Sequence, residues 1–394
     1  MSQSIKITGN KKIESFEING NKLYFDITEF PLLVNSFPRN YSVSSISSYE
    51  EYSDLLKQSD FIIVDENVMR IYPIPSEINS FIYTINATEN NKNLNTVLDL
   101  IEVLIEKNIS KGDKVIAIGG GIIQDISACA CALFRRGQPF TYLPTTTLGQ
   151  LDSCVGAKCA VNTSSAKNIL GLFSAPKEVI IPMFSIKTMP QSEHRAGLSE
   201  MLRLCITASN NAIDNFQNLL PFILEPEQLD INKYKKALQL SLSIKKSVVE
   251  FDEYEKDVRR SMNYGHTFGH AIEKLSNFNI PHGLAVLLGI QIANKFSLTR
   301  EFMNIYNFNK ISHAVKSTLT NLKSDFSFLK KIDAKDVVEQ FKYDKKGDGK
   351  SVPLILIKEP GKMIFFRYFF ESNSTDIIDA INDSIENFLT WKNL

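Results

Sequence analysis

Val115-Ile116-Ala117-Ile118 runs directly into Gly119-Gly120-Gly121, and an alanine-rich helical pattern opens at Ile122-Ile123-Gln124-Asp125. An apolar run without alternation is a strand buried on both faces. A strand of that kind followed by a helix start predicts a parallel sheet with helical crossovers. The glycines also form an anion site, because backbone N–H groups at a helix start can approach a pyrophosphate where no Cβ stands in the way. The run is not the GxGxxG fingerprint, and a triple glycine is about as often a tight turn with no ligand. A second apolar run, residues 61–64 (FIIV), ends in Asp65-Glu66-Asn67. A carboxylate at that end of a parallel strand can accept hydrogen bonds from a ribose, and the two features together point to a dinucleotide.

The pattern continues on both sides. Helical periodicity at 94–107 precedes the strand at 114–118, and further short strands are predicted at 140–143 and 178–181. Segments 13–18 and 22–27 alternate and read as a hairpin turning at Asn19-Gly20. The serine-rich stretch 38–53 reads as a loop. After residue 190 helical periodicity dominates, at 233–250, 266–275 and 284–296, with few strand signals. The division predicted is an α/β domain over residues 1–185 and a mainly helical domain over 186–394.

Lysine plus arginine and aspartate plus glutamate both number 44, so the chain is formally neutral and nucleic acid is not an expected partner. No apolar run approaches the roughly 20 residues that span a bilayer, and the polar N-terminus lacks a signal-peptide core. The cysteines, Cys129, Cys131, Cys154, Cys159 and Cys205, are odd in number and contain no CxxC pair. They read as small buried residues, and a cytoplasmic location is expected.

Three of the five histidines, His266, His270 and His282, fall in one short region. His266 and His270 are spaced i and i+4, so a helix puts both on one face, while His282 follows Asn279-Ile280-Pro281 and opens another helix. Two imidazoles and a carboxylate are a common catalytic metal set. A single histidine would more often be a helix cap or a satisfied core group. Three together favour a metal, although spacing does not say which two bind it. Arg135, Arg136, Lys158 and Lys167 follow the glycine loop beside small or polar residues. They suit a phosphate or carboxylate clamp, and equally a solvated surface.

With these motifs in view, the chain resembles the 3-dehydroquinate synthases and related sugar phosphate cyclases from about Phe61 to Leu356. The pieces that carry the resemblance are VDENV at 64–68, GGGIIQD at 119–125, LPTTTLGQLDS at 143–153, AKCAVN at 157–162, KNILG at 167–171, KTMP at 187–190, GLSE at 197–200, DEYEKDVRRSMNYGHTFGHAIE at 252–273, HG at 282–283 and DKK at 344–346. The resemblance implies a Rossmann-like parallel-sheet domain followed by a helical metal-binding domain, and a homodimer. It implies NAD at Asp65, Asn67, Glu89, Lys92, Gly120, Gly121, Asp125, Thr145 and Thr146, with Thr188 and Glu193 as additions. It implies Zn2+ or Co2+ on Glu200, His266 and His282, leaving His270 near the substrate. Arg136, Lys158, Asn168, Lys245, Arg259, Asn263 and one of Lys345 or Lys346 match positions that grip an anionic sugar phosphate, and Asp152 and Lys167 match further active-site positions. The implied reaction is transient oxidation by NAD, phosphate elimination, re-reduction and aldol closure.

Three departures stand out against the family pattern. Arg203 occupies a usual lysine position, Leu284 replaces the glutamate after His282-Gly283, and Ala157 replaces a glycine before Lys158. Arginine for lysine changes reach and geometry, and a lost carboxylate alters what orients a metal ligand. Lys158, Lys245 and Arg259, with the Asn263/His270 pair, favour a carboxylated substrate, 3-deoxy-D-arabino-heptulosonate 7-phosphate. The alternatives are sedoheptulose 7-phosphate, giving a valiolone-type ring, and glucose 6-phosphate, giving 2-deoxy-scyllo-inosose. A metal-dependent polyol dehydrogenase would need no phosphate clamp, and a non-catalytic relative would be expected to have lost a ligand or a glycine.

Overall fold

The computed structural model describes residues 13–37, 39–164, 166–343, 347–348, 350–370 and 375–391. The first half is built on β1 (Glu14–Ile18), β2 (Asn21–Phe25), β3 (Leu32–Val34), β4 (Tyr41–Ile46), α1 (Tyr49–Leu56), β5 (Phe61–Asp65), α2 (Glu66–Ile71), β6 (Phe81–Ile85), α3 (Leu94–Glu106), β7 (Val115–Gly119), α4 (Gly121–Leu133), β8 (Phe140–Pro144), β9 (Lys158–Val161), β10 (Leu170–Phe173) and β11 (Glu178–Pro182). The second half carries α5 (Gln191–Ala208), α6 (Asn210–Ile223), α7 (Ile231–Phe251), α8 (His266–Leu275), α9 (His282–Thr299), α10 (Ile305–Leu319), α11 (Ala334–Gln340), β12 (Ser351–Glu359), β13 (Lys362–Phe369) and α12 (Thr375–Trp391).

Seven strands form one sheet in the order β3-β4-β11-β8-β7-β5-β6, parallel apart from the edge strand β3. β7 and β8 are buried along their whole length, as strands covered on both faces must be. Chain order reverses at β5, which lies between β6 and β7. Val64 pairs with Ile118, so Asp65 and Gly119 end neighbouring strands at one level, at the point where parallel sheets open a crevice.

The hairpin at Asn19-Gly20 forms, with Asn19 and Gly20 both at positive φ. The stretch 38–53 is not a loop, although Pro38 itself lies outside the described residues. Tyr41 and Val43 are buried between serines, so β4 alternates beneath a polar composition. Ser48 and Glu51 then close a capping box that starts α1. The strands β12 and β13, which follow the long helices, were not anticipated. They pair with each other, and β13 pairs in parallel with β1, so the N-terminal hairpin completes a four-stranded sheet of order β12-β13-β1-β2. The central helix of the second half is α9, buried on nearly every face. The five cysteines are buried and free.

Candidate active site

At the switch point Gly120 caps α4, and a Cβ there would meet Thr146 Cγ2 at 2.8 Å, whereas a Cβ at Gly121 would meet nothing within 4 Å. The turn is therefore packed on one side and open on the other, where the first N–H groups of α4 point. Asp65 caps α2 by accepting from Asn67 N at 3.0 Å, and partial burial raises its carboxyl above the ordinary value. Thr145 lies beneath the turn with a buried hydroxyl that has no partner among the described residues, and Thr146 Oγ1 accepts from Gly149 N at 3.1 Å. Thr188 meets the Tyr72 hydroxyl at 3.1 Å, and Glu193 stands exposed in the first turn of α5.

Asp125, one turn into α4, binds Lys92 Nζ at 2.5 Å and accepts from Ala160 N at 3.2 Å. Burial pushes its carboxyl up despite Lys92. Lys92 also donates to Asn168 Oδ1 at 2.7 Å, and Lys167 lies 3.9 Å from both Glu89 Oε1 and the Phe278 ring centroid. The structure thus joins the proposed dinucleotide and substrate residues in one polar chain. A cavity of about 640 Å³ beside it is lined by Glu89, Asn93, Asn162 and Lys167 among others.

Four segments converge on a second cluster. α5 carries Glu200 and Arg203, α8 carries His266 and His270, α9 begins at His282, and a single π turn at Gly149–Ser153 presents Asp152. The three histidines offer ring nitrogens within 4.8 Å of one another. Glu200 Oε1 lies 3.5 Å from His282 Nε2 and 3.9 Å from His266 Nε2. It is buried and has no hydrogen-bond partner among the described residues. His282 Nδ1 bonds Glu273 Oε2 at 3.0 Å. Burial opposes a charge on His282, but Glu273 and Glu200 outweigh it and raise the imidazole pKa, so the site attracts positive charge.

Beside the imidazoles, Arg203 bridges Glu200 Oε2 at 2.5 Å and Asp152 Oδ2 at 2.8 Å. Lys245 holds the other Asp152 oxygen and donates to the Asp152 carbonyl at 2.9 Å. Burial works against the Asp152 charge, yet Lys245 and Arg203 hold the carboxyl below its ordinary value. Further out, Glu255 pairs with Lys158 and accepts from Asn263 Nδ2 at 2.7 Å. Arg259, buried nearby, donates to the Glu253 carbonyl and packs on Gly156, where a Cβ would meet Nη2 at 2.7 Å.

Arg136 is not brought to this cluster. It sits exposed beyond the C-terminus of α4, about 20 Å along the helix from the glycine turn. Lys345 and Lys346 lie outside the described residues. Leu284 is fully buried among apolar neighbours, and the carboxylate that orients His282 is Glu273, which the sequence reading did not single out. Its signal was available: Glu273 follows His266 by seven residues and His270 by three, on the same helix face. Glu255 was missed as well, with no periodic signal to mark it.

Residues 82–196 match the family model for the N-terminal region of 3-dehydroquinate synthase, and 197–347 match that for its C-terminal region. The chain belongs to the 3-dehydroquinate synthase family. Among curated relatives, the 3-dehydroquinate synthase of Pelagibacter ubique is 31% identical over 360 residues, 86% of this chain and 95% of the relative. That of Acetivibrio thermocellus is 33% identical over 338 residues, 82% and 91% of the two chains. The chain is accordingly a sugar phosphate cyclase, a carbon–oxygen lyase that eliminates phosphate.

Solved structures share the fold. A 2-deoxy-scyllo-inosose synthase complexed with carbaglucose-6-phosphate, NAD+ and Co2+ matches with TM-score 0.77 and 22% identity, covering 89% of this chain and 99% of that one. A 2-epi-5-epi-valiolone synthase from Streptomyces hygroscopicus with NAD+ and Zn2+ matches with TM-score 0.74 and 20% identity, over 90% and 99%. A probable glycerol dehydrogenase from Sinorhizobium meliloti matches with TM-score 0.57 and 12% identity, over 89% and 97%. Among the described residues, no helix is long and apolar enough to cross a membrane.

Proposed function

We propose that this enzyme converts 3-deoxy-D-arabino-heptulosonate 7-phosphate to 3-dehydroquinate and phosphate, using NAD and a divalent ion, Zn2+ or Co2+. The donor set suits such an ion: an unpartnered buried carboxylate oxygen, Glu200 Oε1, faces the Nε2 atoms of His266 and His282. The glycine turn suits a dinucleotide, since Gly121 opens on empty space beside the start of α4 and Asp65 ends the adjacent strand. When bound, NAD would supply reversible hydride removal, and the ion would polarise a substrate hydroxyl.

The chain's own residues bind and orient. Lys92 and Asn168 meet where the glycine-loop helix reaches the β9–β10 hairpin, so one polar chain runs from the proposed cofactor site to the substrate. Asp152, kept ionised by Lys245 and Arg203, fixes the lysine ammonium at the cleft. His270 stacks 5.6 Å from His282, centroid to centroid, and supplies an ionisable ring nitrogen for proton transfer.

One observation favours the carboxylated substrate. Lys158 and Asn263 already hold a carboxylate, that of Glu255, with Arg259 close by. A cluster that gathers around one carboxylate is suited to receive another, and sedoheptulose 7-phosphate and glucose 6-phosphate have none. The test is phosphate release by metal-reconstituted protein on each of the three sugar phosphates, with the product identified by NMR. The expected result is turnover of the heptulosonate alone, forming 3-dehydroquinate without net NADH. Preferential turnover of either other sugar phosphate would refute the substrate assignment.

A further inference from the structure

Glu200 and Arg203 stand three residues apart on α5, with side chains only 2% and 3% exposed. All three guanidinium nitrogens are engaged: Nε with Glu200 Oε2 at 2.5 Å, Nη2 with Asp152 Oδ2 at 2.8 Å and Nη1 with Met262 Sδ at 3.5 Å. A planar fork gripped at three points cannot turn without breaking buried charge-assisted bonds. One oxygen of Glu200 is therefore committed to Arg203, while the other faces two imidazole nitrogens. A free carboxylate can bind a cation through both oxygens, and doing so fills a coordination position that a catalytic ion needs open.

We infer that Arg203 keeps Glu200 a one-oxygen ligand: by holding Oε2 it leaves only Oε1 for a divalent ion, so that positions remain open for substrate hydroxyls. Arg203 is in this role a positioning residue, acting through Glu200. The inference rests on the metal reading above and adds to it a role for the cationic donor that holds Glu200 Oε2.

The test is titration of the full-length protein with Co2+, followed by the visible absorption of the ion, which weakens as coordination number rises. Wild-type protein should give a strong band that Glu200→Gln alters. Arg203→Met should give a weaker band, and kcat at saturating metal should fall about 10–100-fold. Because the single variant leaves a buried charge unbalanced, Arg203→Met combined with Asp152→Asn removes one charge of each sign and should give the same weak band. Arg203→Lys keeps a donor for Oε2 and should restore the wild-type band. A wild-type band in the double variant, or a weak one in Arg203→Lys, overturns the inference while leaving the metal reading intact. Absence of any Co2+ band in wild-type protein sinks the metal reading, and this inference with it.

Discussion

His282 turns Nε2 toward Glu200 while its other ring nitrogen is held by Glu273. A neutral imidazole that donates from Nδ1 leaves Nε2 as a lone-pair donor, so the Glu273 carboxylate selects both the tautomer and the ring orientation. Removing it should act on the metal and spare the fold, because Glu273 lies near the end of α8 rather than in its apolar face. Glu273→Ala is expected to weaken Zn2+ binding about 10–100-fold in a chelator competition, with little change in Tm. Glu273→Gln keeps an acceptor oxygen and should lose less. Equal losses in the two variants would mean that charge, and not orientation, is what Glu273 contributes. The same reasoning explains why Leu284 does no harm to the imidazole: the orienting carboxylate comes from α8, one helix earlier.

Helix α5 is wedged between the two clusters with almost no clearance. A Cβ at Gly197 would meet Thr147 Cβ at 2.5 Å and Leu148 N at 2.6 Å, and a Cβ at Gly283 would meet the Ala196 carbonyl oxygen at 2.0 Å. Glu200, one turn along α5 from Ala196, and His282, next to Gly283 at the start of α9, are thus set by direct helix–helix contact. Gly283→Ala should force α9 away from α5, costing about 1–3 kcal/mol as overpacking and lowering Co2+ affinity as well. Thermal unfolding and Co2+ titration on one preparation check this, and a lower Tm with unchanged Co2+ affinity would show that the histidine is placed independently of that contact. Elements of this kind differ in how legible they are. The i, i+4 histidines and the strand–glycine–helix run announce themselves because one local pattern holds the whole signal. β4 was concealed by serines on its less buried positions. The π turn that lifts Asp152 into place depends on tertiary bonds of Gln150 to the Pro144 and Pro182 carbonyls, which no local pattern encodes.

At the scale of the whole molecule, the parts that escaped the sequence reading are those closed by distant segments. β1 finds its parallel partner in β13, more than three hundred residues later, and Asp152 finds its cations on α5 and α7. His194 is another such closure. Fully buried at the start of α5, it contacts Thr147 Oγ1 through Nδ1 at 2.8 Å and the Ile223 carbonyl through Nε2 at 2.7 Å, tying the loop after β8 to the end of α6. Nε2 must donate to the carbonyl, so Nδ1 accepts from the threonine and the ring is neutral. Burial pushes its pKa down from 6.5 to about 4. An unfolded chain takes up the proton below 6.5 while the folded one refuses it until about 4, so stability from this group is complete above 6.5 and drains away as pH falls between those values. From about pH 7.5 to about pH 5 the loss should be about 2 kcal/mol. Urea unfolding of wild-type protein and of His194→Gln across that range isolates the effect: the variant starts less stable, and the gap should narrow toward low pH. A gap that stays constant would mean the imidazole titrates alike in both states and that this closure carries no proton-linked stability.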